Sequence, residues 1–164
     1  FRESLVDSLH SAASIFLIAV SAVLLTRFLA IAGLPQFMGG LVRTLDLGPY
    51  GVIAFMTVIY LILGCFLDPI GIMLITLPIL LPMWKAVGLD LIWMGVLVVM
   101  LLEIGLLTPP VGLNAFVIKT VVGDRVSLTT IFRGLIGFII VDLFVVVLLV
   151  AFPKISLFLP SLLE

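Results

Sequence analysis

Leu107-Thr108-Pro109-Pro110-Val111-Gly112 interrupts an apolar run that continues on both sides, from Leu91 to Leu107 and from Leu113 to Val122. Two adjacent prolines remove two backbone donors, so a helix cannot pass through them unchanged. A bilayer core holds no water for the freed carbonyls. Such a break persists only where protein, an ion or a solvated cavity takes the place of water. A second cluster, Gly64-Cys65-Phe66-Leu67-Asp68-Pro69-Ile70-Gly71, divides the preceding apolar block near its midpoint. There Pro69 lacks a donor and disfavours the α conformation at Asp68. Pro78 and Pro82 predict further breaks downstream.

Composition fixes the solvent. Apolar residues are 64% of the chain and charged residues 10%, with a mean hydropathy of +1.51, far from the soluble globular range. A net charge of −1 argues against a polyanionic partner, and no Lys/Arg cluster points to nucleic acid or anionic lipid. Cys65 and His10 are the sole residues of their kinds, which excludes an internal disulfide and a Cys- or His-based metal centre. Phe1-Arg2-Glu3-Ser4-Leu5-Val6-Asp7 lacks the basic start of a signal peptide. The chain reads as the C-terminal part of something longer.

The expected fold is all-α, a polytopic membrane protein. Residues 9–33 are long enough to span a ~30 Å core as a transmembrane helix. Residues 37–47 read as an interfacial turn or short surface helix. Residues 48–84 form two arms of roughly 15 residues, about 22 Å of helix each and too short to cross. One long tilted helix is a possible reading; a re-entrant hairpin with its tip at Gly64–Gly71 is preferred. Residues 90–122 read as a discontinuous transmembrane helix unwound at Thr108–Gly112. Residues 127–152 form the last transmembrane helix, started by Ser127-Leu128-Thr129-Thr130, and residues 155–164 an interfacial tail. Trp84, Lys85 and Trp93 look like interfacial anchors, and Arg27 like a snorkelling side chain. Counting Arg2, Lys119, Arg125 and Arg133 against Arg43, Lys85 and Lys154 places the N-terminus and Arg125 in the cytoplasm.

Successive interrupted spans point to the midplane binding site of a secondary transporter. Half-helix C-termini near Leu63–Cys65 and Ile104–Leu107 offer carbonyls to a hard cation. Half-helix N-termini near Gly71–Leu74 and Gly112–Ala115 offer amides to an anion. The expected sodium site takes Gly64, Asp68, Thr108, Pro109 and Gly112; the expected substrate site takes Gly71, Pro110 and Asn114. Asp68 has two readings, a sodium ligand or an N-cap for the helix beginning at Pro69. Thr108 and Asn114 are either ligands or caps for freed backbone. Glu103 and Asp142 are intramembrane carboxylates, either tuning an ion site or bonded within the bundle.

Gly64-Cys65-Phe66-Leu67-Asp68, Leu77-Pro78-Ile79-Leu80-Leu81-Pro82, Gly105-Leu106-Leu107-Thr108-Pro109-Pro110-Val111-Gly112 and Phe152-Pro153 followed by Leu159-Pro160 occur in order. Together they resemble the C-terminal half of the large membrane subunit of tripartite ATP-independent periplasmic (TRAP) transporters. The resemblance implies one repeat of an inverted-repeat, elevator-type importer in the bacterial inner membrane. It implies sodium as coupling ion and an organic acid (carboxylate) as solute. It also implies three protein partners: the remaining N-terminal part of the large subunit, a small membrane subunit and a periplasmic solute-binding protein. Receptor-independent sodium/anion carriage is the alternative, and a structural membrane subunit a further one. An intramembrane protease needs Gly-x-Gly-Asp, which is missing from the sequence, so no enzyme is expected.

Overall fold

The computed structural model describes residues 2–162. Phe1 and the last two residues of the expected tail, Leu163 and Glu164, lie outside it, as do the side chains of Ser11, Ile15, Ile18, Ala22 and Arg43. Among the described residues every regular element is helical. They are α1 (Arg2–Ile31), α2 (Leu34–Thr44), α3 (Pro49–Gly64), α4 (Pro69–Ala86), α5 (Leu91–Leu107), α6 (Leu113–Val122), α7 (Leu128–Ala151) and α8 (Lys154–Leu157). Short 3-10 turns follow α6 and α8, at Gly123–Arg125 and Pro160–Leu162.

Helix starts are chemically marked. Pro49 and Pro69 open α3 and α4, where a missing N–H costs nothing. The Asp90 carboxylate caps α5 by accepting from the Ile92 and Trp93 amides at 2.8 and 3.0 Å, and Ser127 caps α7 by accepting from Thr130 N at 3.2 Å. Helix α1 begins seven residues before the expected start at residue 9. Hydropathy set its polar first turns aside, yet the hydroxyls there are satisfied locally, Ser8 donating to the Ser4 carbonyl at 2.8 Å and Ser14 to that of His10 at 2.9 Å. Helix α2 begins at Leu34 rather than residue 37 and buries Val42 against the core.

Three helices (α1, α4 and α7) are long and apolar enough to cross a membrane, and α3 and α5 are shorter apolar helices. Much of α1 and α7 leaves large apolar side chains outside, among them Phe16, Leu24, Phe138 and Phe144. Against lipid tails these faces carry no penalty, because the tails are as apolar as leucine.

Helix α5 is the hub, contacting α3, α4, α6, α7 and α8. Its buried positions fall in pairs, Trp93/Met94, Leu97/Val98, Leu101/Leu102 and Ile104/Gly105, which make one broad stripe at helical spacing. Helix α3 meets it with a row four residues apart, Met56, Tyr60 and Gly64, each fully buried or nearly so. Both rows taper from large side chains to glycine. At the narrow end a Cβ on Gly64 would lie 2.7 Å from the Gly105 Cα, and one on Gly105 2.6 Å from the Gly64 Cα. The two backbones touch there, an approach that only glycine permits.

Helix α4 returns alongside α3. The Tyr60 hydroxyl and Thr76 Oγ1 are 2.7 Å apart in the buried α3–α4 seam. Thr76 donates its own proton to the Ile72 carbonyl at 2.7 Å, so Tyr60 is the donor and Thr76 the acceptor. Chain order then makes α3 and α5 run in the same direction, with their C-termini together.

Two expectations are corrected here. Pro78 and Pro82 do not break α4, which runs unbroken from Pro69 to Ala86. Spaced four apart they lie on one face, and packing of the opposite face, where Leu80, Met83 and Trp84 are buried, holds the helix together. Trp84 and Trp93 are not anchors facing the lipid surface: they are 1% and 7% exposed. The Trp93 indole N–H donates to the Leu149 carbonyl of α7 at 2.9 Å, while that of Trp84 is buried with no acceptor among the described residues. The large apolar area of each ring outweighs the need of its single donor for an interface.

Replacing Gly105 by alanine is expected to destabilise the protein by about 1–3 kcal/mol or more, since backbone must move. Gly137→Ala, with nothing within 4 Å, should be neutral or gain up to about 1 kcal/mol. Thermal unfolding of the purified variants reads the contrast. A double-mutant cycle on Tyr60→Phe and Thr76→Val should give a coupling of about 0.6–1.7 kcal/mol, the range for interhelical hydrogen bonds in membranes.

Candidate cation and anion site at two helix breaks

The first break spans residues 65–68. The Leu63 carbonyl accepts both the Phe66 and Leu67 amides, at 3.0 and 2.9 Å. Cys65 Sγ donates to the Leu61 carbonyl at 3.0 Å, a local use that fits its reading as a small tip residue. The Ile62 and Gly64 carbonyls are left without a backbone donor among the described residues. Phe66 and Leu67 project outward, 59% and 41% exposed. Asp68 is the N-cap of α4, its Oδ2 accepting from the Gly71 amide at 2.8 Å. A Cβ on Gly71 would sit 2.9 Å from Asp68 Oδ1, so glycine at 71 lets the carboxylate fold over the helix end. The Gly71 amide, expected to face an anion, is thus held by Asp68 in this conformation.

The second break spans residues 108–112. Pro109 has no amide for the Gly105 carbonyl, which takes the Thr108 amide at 3.1 Å instead. Pro110 has none for Leu106, and among the described residues no backbone amide replaces it. Thr108 Oγ1 donates to the Ile104 carbonyl at 2.6 Å, leaving its lone pairs open. Gly112 adopts φ 56°, a left-handed conformation that favours glycine, and a Cβ there would lie 2.8 Å from the Phe132 ring of α7. Helix α6 starts directly after it, with the Ala115 amide donating to the Gly112 carbonyl at 2.8 Å. The amides of Leu113 and Asn114 precede the first bonded turn and have no intrahelical acceptor. Asn114 is half-buried at this end.

The Gly64–Gly105 contact brings these breaks together. Each helix C-terminus carries roughly −0.5 elementary charge. Two parallel ends in backbone contact therefore place about −1 at one point, with the Ile62, Gly64 and Leu106 carbonyls unclaimed by backbone amides. That is the electrostatic setting of a hard cation with oxygen ligands. Among the described residues no three His, Cys, Asp or Glu side chains cluster, so the donors on offer to such an ion here are mainly carbonyl and hydroxyl oxygens.

Of the expected ligands, Gly64 lies at the contact itself, while Asp68 and Thr108 have local partners and share no bond. Pro109 and Pro110 are exposed. Glu103 is exposed on α5 and makes no hydrogen bond or ion pair among the described residues; Asp142 is half-buried on α7 and likewise unbonded. Sequence reading did not pair Gly105 with Gly64, and it passed over Phe132 as the ring that closes on Gly112 and the Tyr60–Thr76 bond. For the glycine contacts the signal was the position of each glycine beside a break; the Tyr60–Thr76 bond had none.

Comparison with known proteins identifies the family. Residues 1–155 match the family described as "Tripartite ATP-independent periplasmic transporter, DctM component". The C4-dicarboxylate TRAP transporter large permease protein DctM of Pseudomonas aeruginosa is 35% identical over 146 residues, covering 89% of this chain and 34% of the relative. The sialic acid TRAP transporter large permease protein SiaM of Vibrio cholerae is 32% identical over 163 residues, covering 99% and 38%. The ectoine/5-hydroxyectoine TRAP transporter large permease protein UehC of Ruegeria pomeroyi is 32% identical over 151 residues, covering 92% and 35%. The chain thus spans a little over a third of the length of these curated relatives. With a match that runs over nearly all of its length and a surface of exposed apolar helices, this chain is a multi-pass membrane protein belonging to the DctM-component family of tripartite ATP-independent periplasmic transporters.

Proposed function

We propose that this chain forms the C-terminal repeat of a sodium-coupled importer of organic acids in the bacterial inner membrane. In this reading α3 and α4 are a re-entrant hairpin, and α5 and α6 a discontinuous transmembrane helix. The observation that carries it is the meeting of the α3 and α5 C-termini at Gly64 and Gly105. Sodium is cargo, held by carbonyls around Gly64, Thr108 and Pro109, with Gly112 shaping the cradle and Asp68 supplying charge. Sodium binding would draw the Asp68 carboxylate from the Gly71 amide and free that amide. The solute carboxylate then lies against the amides of Gly71 and Asn114, beside Pro110, so cation and anion occupy each other's field. Coupling follows from this: each stabilises the site for the other, reciprocally.

The remaining partners come with the family. A complementary N-terminal repeat completes the site, a small membrane subunit steadies it, and a periplasmic binding protein delivers the solute. The repeat carries its ion and solute across as a rigid elevator, with no covalent chemistry. C4-dicarboxylates, sialic acid and ectoine appear in the relatives' names, which supports a small carboxylate-bearing solute for this chain.

Asp68→Asn separates the two roles of that side chain, because asparagine caps a helix as well as aspartate does. In proteoliposomes holding the complete transporter, it should raise the sodium concentration for half-maximal uptake about tenfold, the worth of ~1.4 kcal/mol. Thr108→Val should act in the same direction. Unchanged sodium activation in both variants would contradict the site. Uptake undiminished without the periplasmic receptor would favour a receptor-independent carrier.

A further inference from the structure

Helices α1 and α4 pack side by side, and their contact leaves an open trough along it. On α1, Ala19, Val23, Thr26 and Ala30 recur at intervals of four, three and four, a mostly small stripe on the α4 side that the larger Leu29 interrupts. Such stripes ordinarily let two membrane helices seat backbone to backbone. Here the opposing face carries Leu77, Pro78, Leu81 and Pro82, and a trough remains, with adjoining volumes of about 310 and 330 Å³. The two volumes share Thr26, Pro78 and Leu81, so they form one groove. It runs from Met73 to Lys85, twelve residues of α4 or about 18 Å. A single leaflet of hydrocarbon is about 15 Å deep, half of the ~30 Å core.

One end of the groove is charged. Lys85 lines it in the last turn of α4, exposed and without a hydrogen bond or ion pair among the described residues. An unfilled apolar trough forfeits dispersion contacts along its walls. In a bilayer an acyl chain can supply those contacts, and an anionic headgroup complements the charge of Lys85.

We infer that the α1–α4 groove is a binding site for one anionic phospholipid, its acyl chain against Leu77 and Leu81 and its phosphate at Lys85. The prolines have a role in this arrangement. Their short, rigid rings on the α1 side keep the trough open where leucines would interdigitate with the small stripe. Its charged end at Lys85 is remote from the candidate ion site, which stands at the N-terminal end of α4 beyond Met73.

The test is native mass spectrometry of the purified complete transporter with added dioleoyl phosphatidylglycerol or dioleoyl phosphatidylcholine. The wild type should retain phosphatidylglycerol in preference. Lys85→Gln should lower that retention about fivefold, the worth of one basic residue at a membrane surface, and leave phosphatidylcholine unchanged. The double variant Ala19→Phe/Ala30→Phe, which fills the trough, should lose both lipids. Val141→Phe on the exposed face of α7 should lose neither, and unfolding midpoints matching the wild type establish that the variants are folded. Equal retention of the two lipids by the wild type would overturn the inference, as would full retention by the folded double variant. A benzophenone amino acid in place of Leu77 should crosslink to lipid; crosslinking to a protein segment instead would show that the groove seats a helix.

Discussion

Everything in this molecule that bears on a site depends on two backbones touching at Gly64 and Gly105. No side chain intervenes, so the ends of α3 and α5 are held at one place by sterics alone. The tapering rows above them, Met56 and Tyr60 on one helix and Leu97 and Leu101 on the other, are all buried and set the approach. Elsewhere in a protein, two helix C-termini would be kept apart or neutralised by basic residues. Here each ends in a break rather than a cation, and the breaks are made by residues that withhold amides.

The breaks themselves were legible from local chemistry. Proline removes a donor wherever it stands, so Pro69 and the Pro109–Pro110 pair announce a departure from helix in a chain with no water to repair it. Pro78 and Pro82 carry the same local signal, yet α4 continues through them because its opposite face is packed. What separates the two cases is tertiary burial, which a sequence does not display. The tryptophans failed for a related reason: an indole suits both an interface and a core, and only the packing around Trp84 and Trp93 decides.

That Gly64 and Gly105 meet each other was not legible. Fourteen glycines stand in the chain, and most meet nothing that a Cβ would disturb; Gly134 and Gly137 have open space around them. Only chain topology, with α4 carrying the chain back from the end of α3 to the start of α5, selects Gly64 and Gly105 as partners. The double role of Asp68 was visible as two alternatives. In the folded chain it is a cap, bonded to the Gly71 amide, and under the proposed function that bond is the one sodium would compete with. Thr108 is held more simply, donating to its own helix while keeping acceptor capacity for a ligand.

The decisive measurement is a density map of the complete transporter in sodium, compared with one in choline. A density feature between the Gly64 and Leu106 carbonyls, present in sodium and absent in choline with Gly64 and Gly105 still in contact, is the predicted result. Helix ends that part from each other in the complete transporter, or a gap between those carbonyls that is equally empty in both salts, would contradict the account.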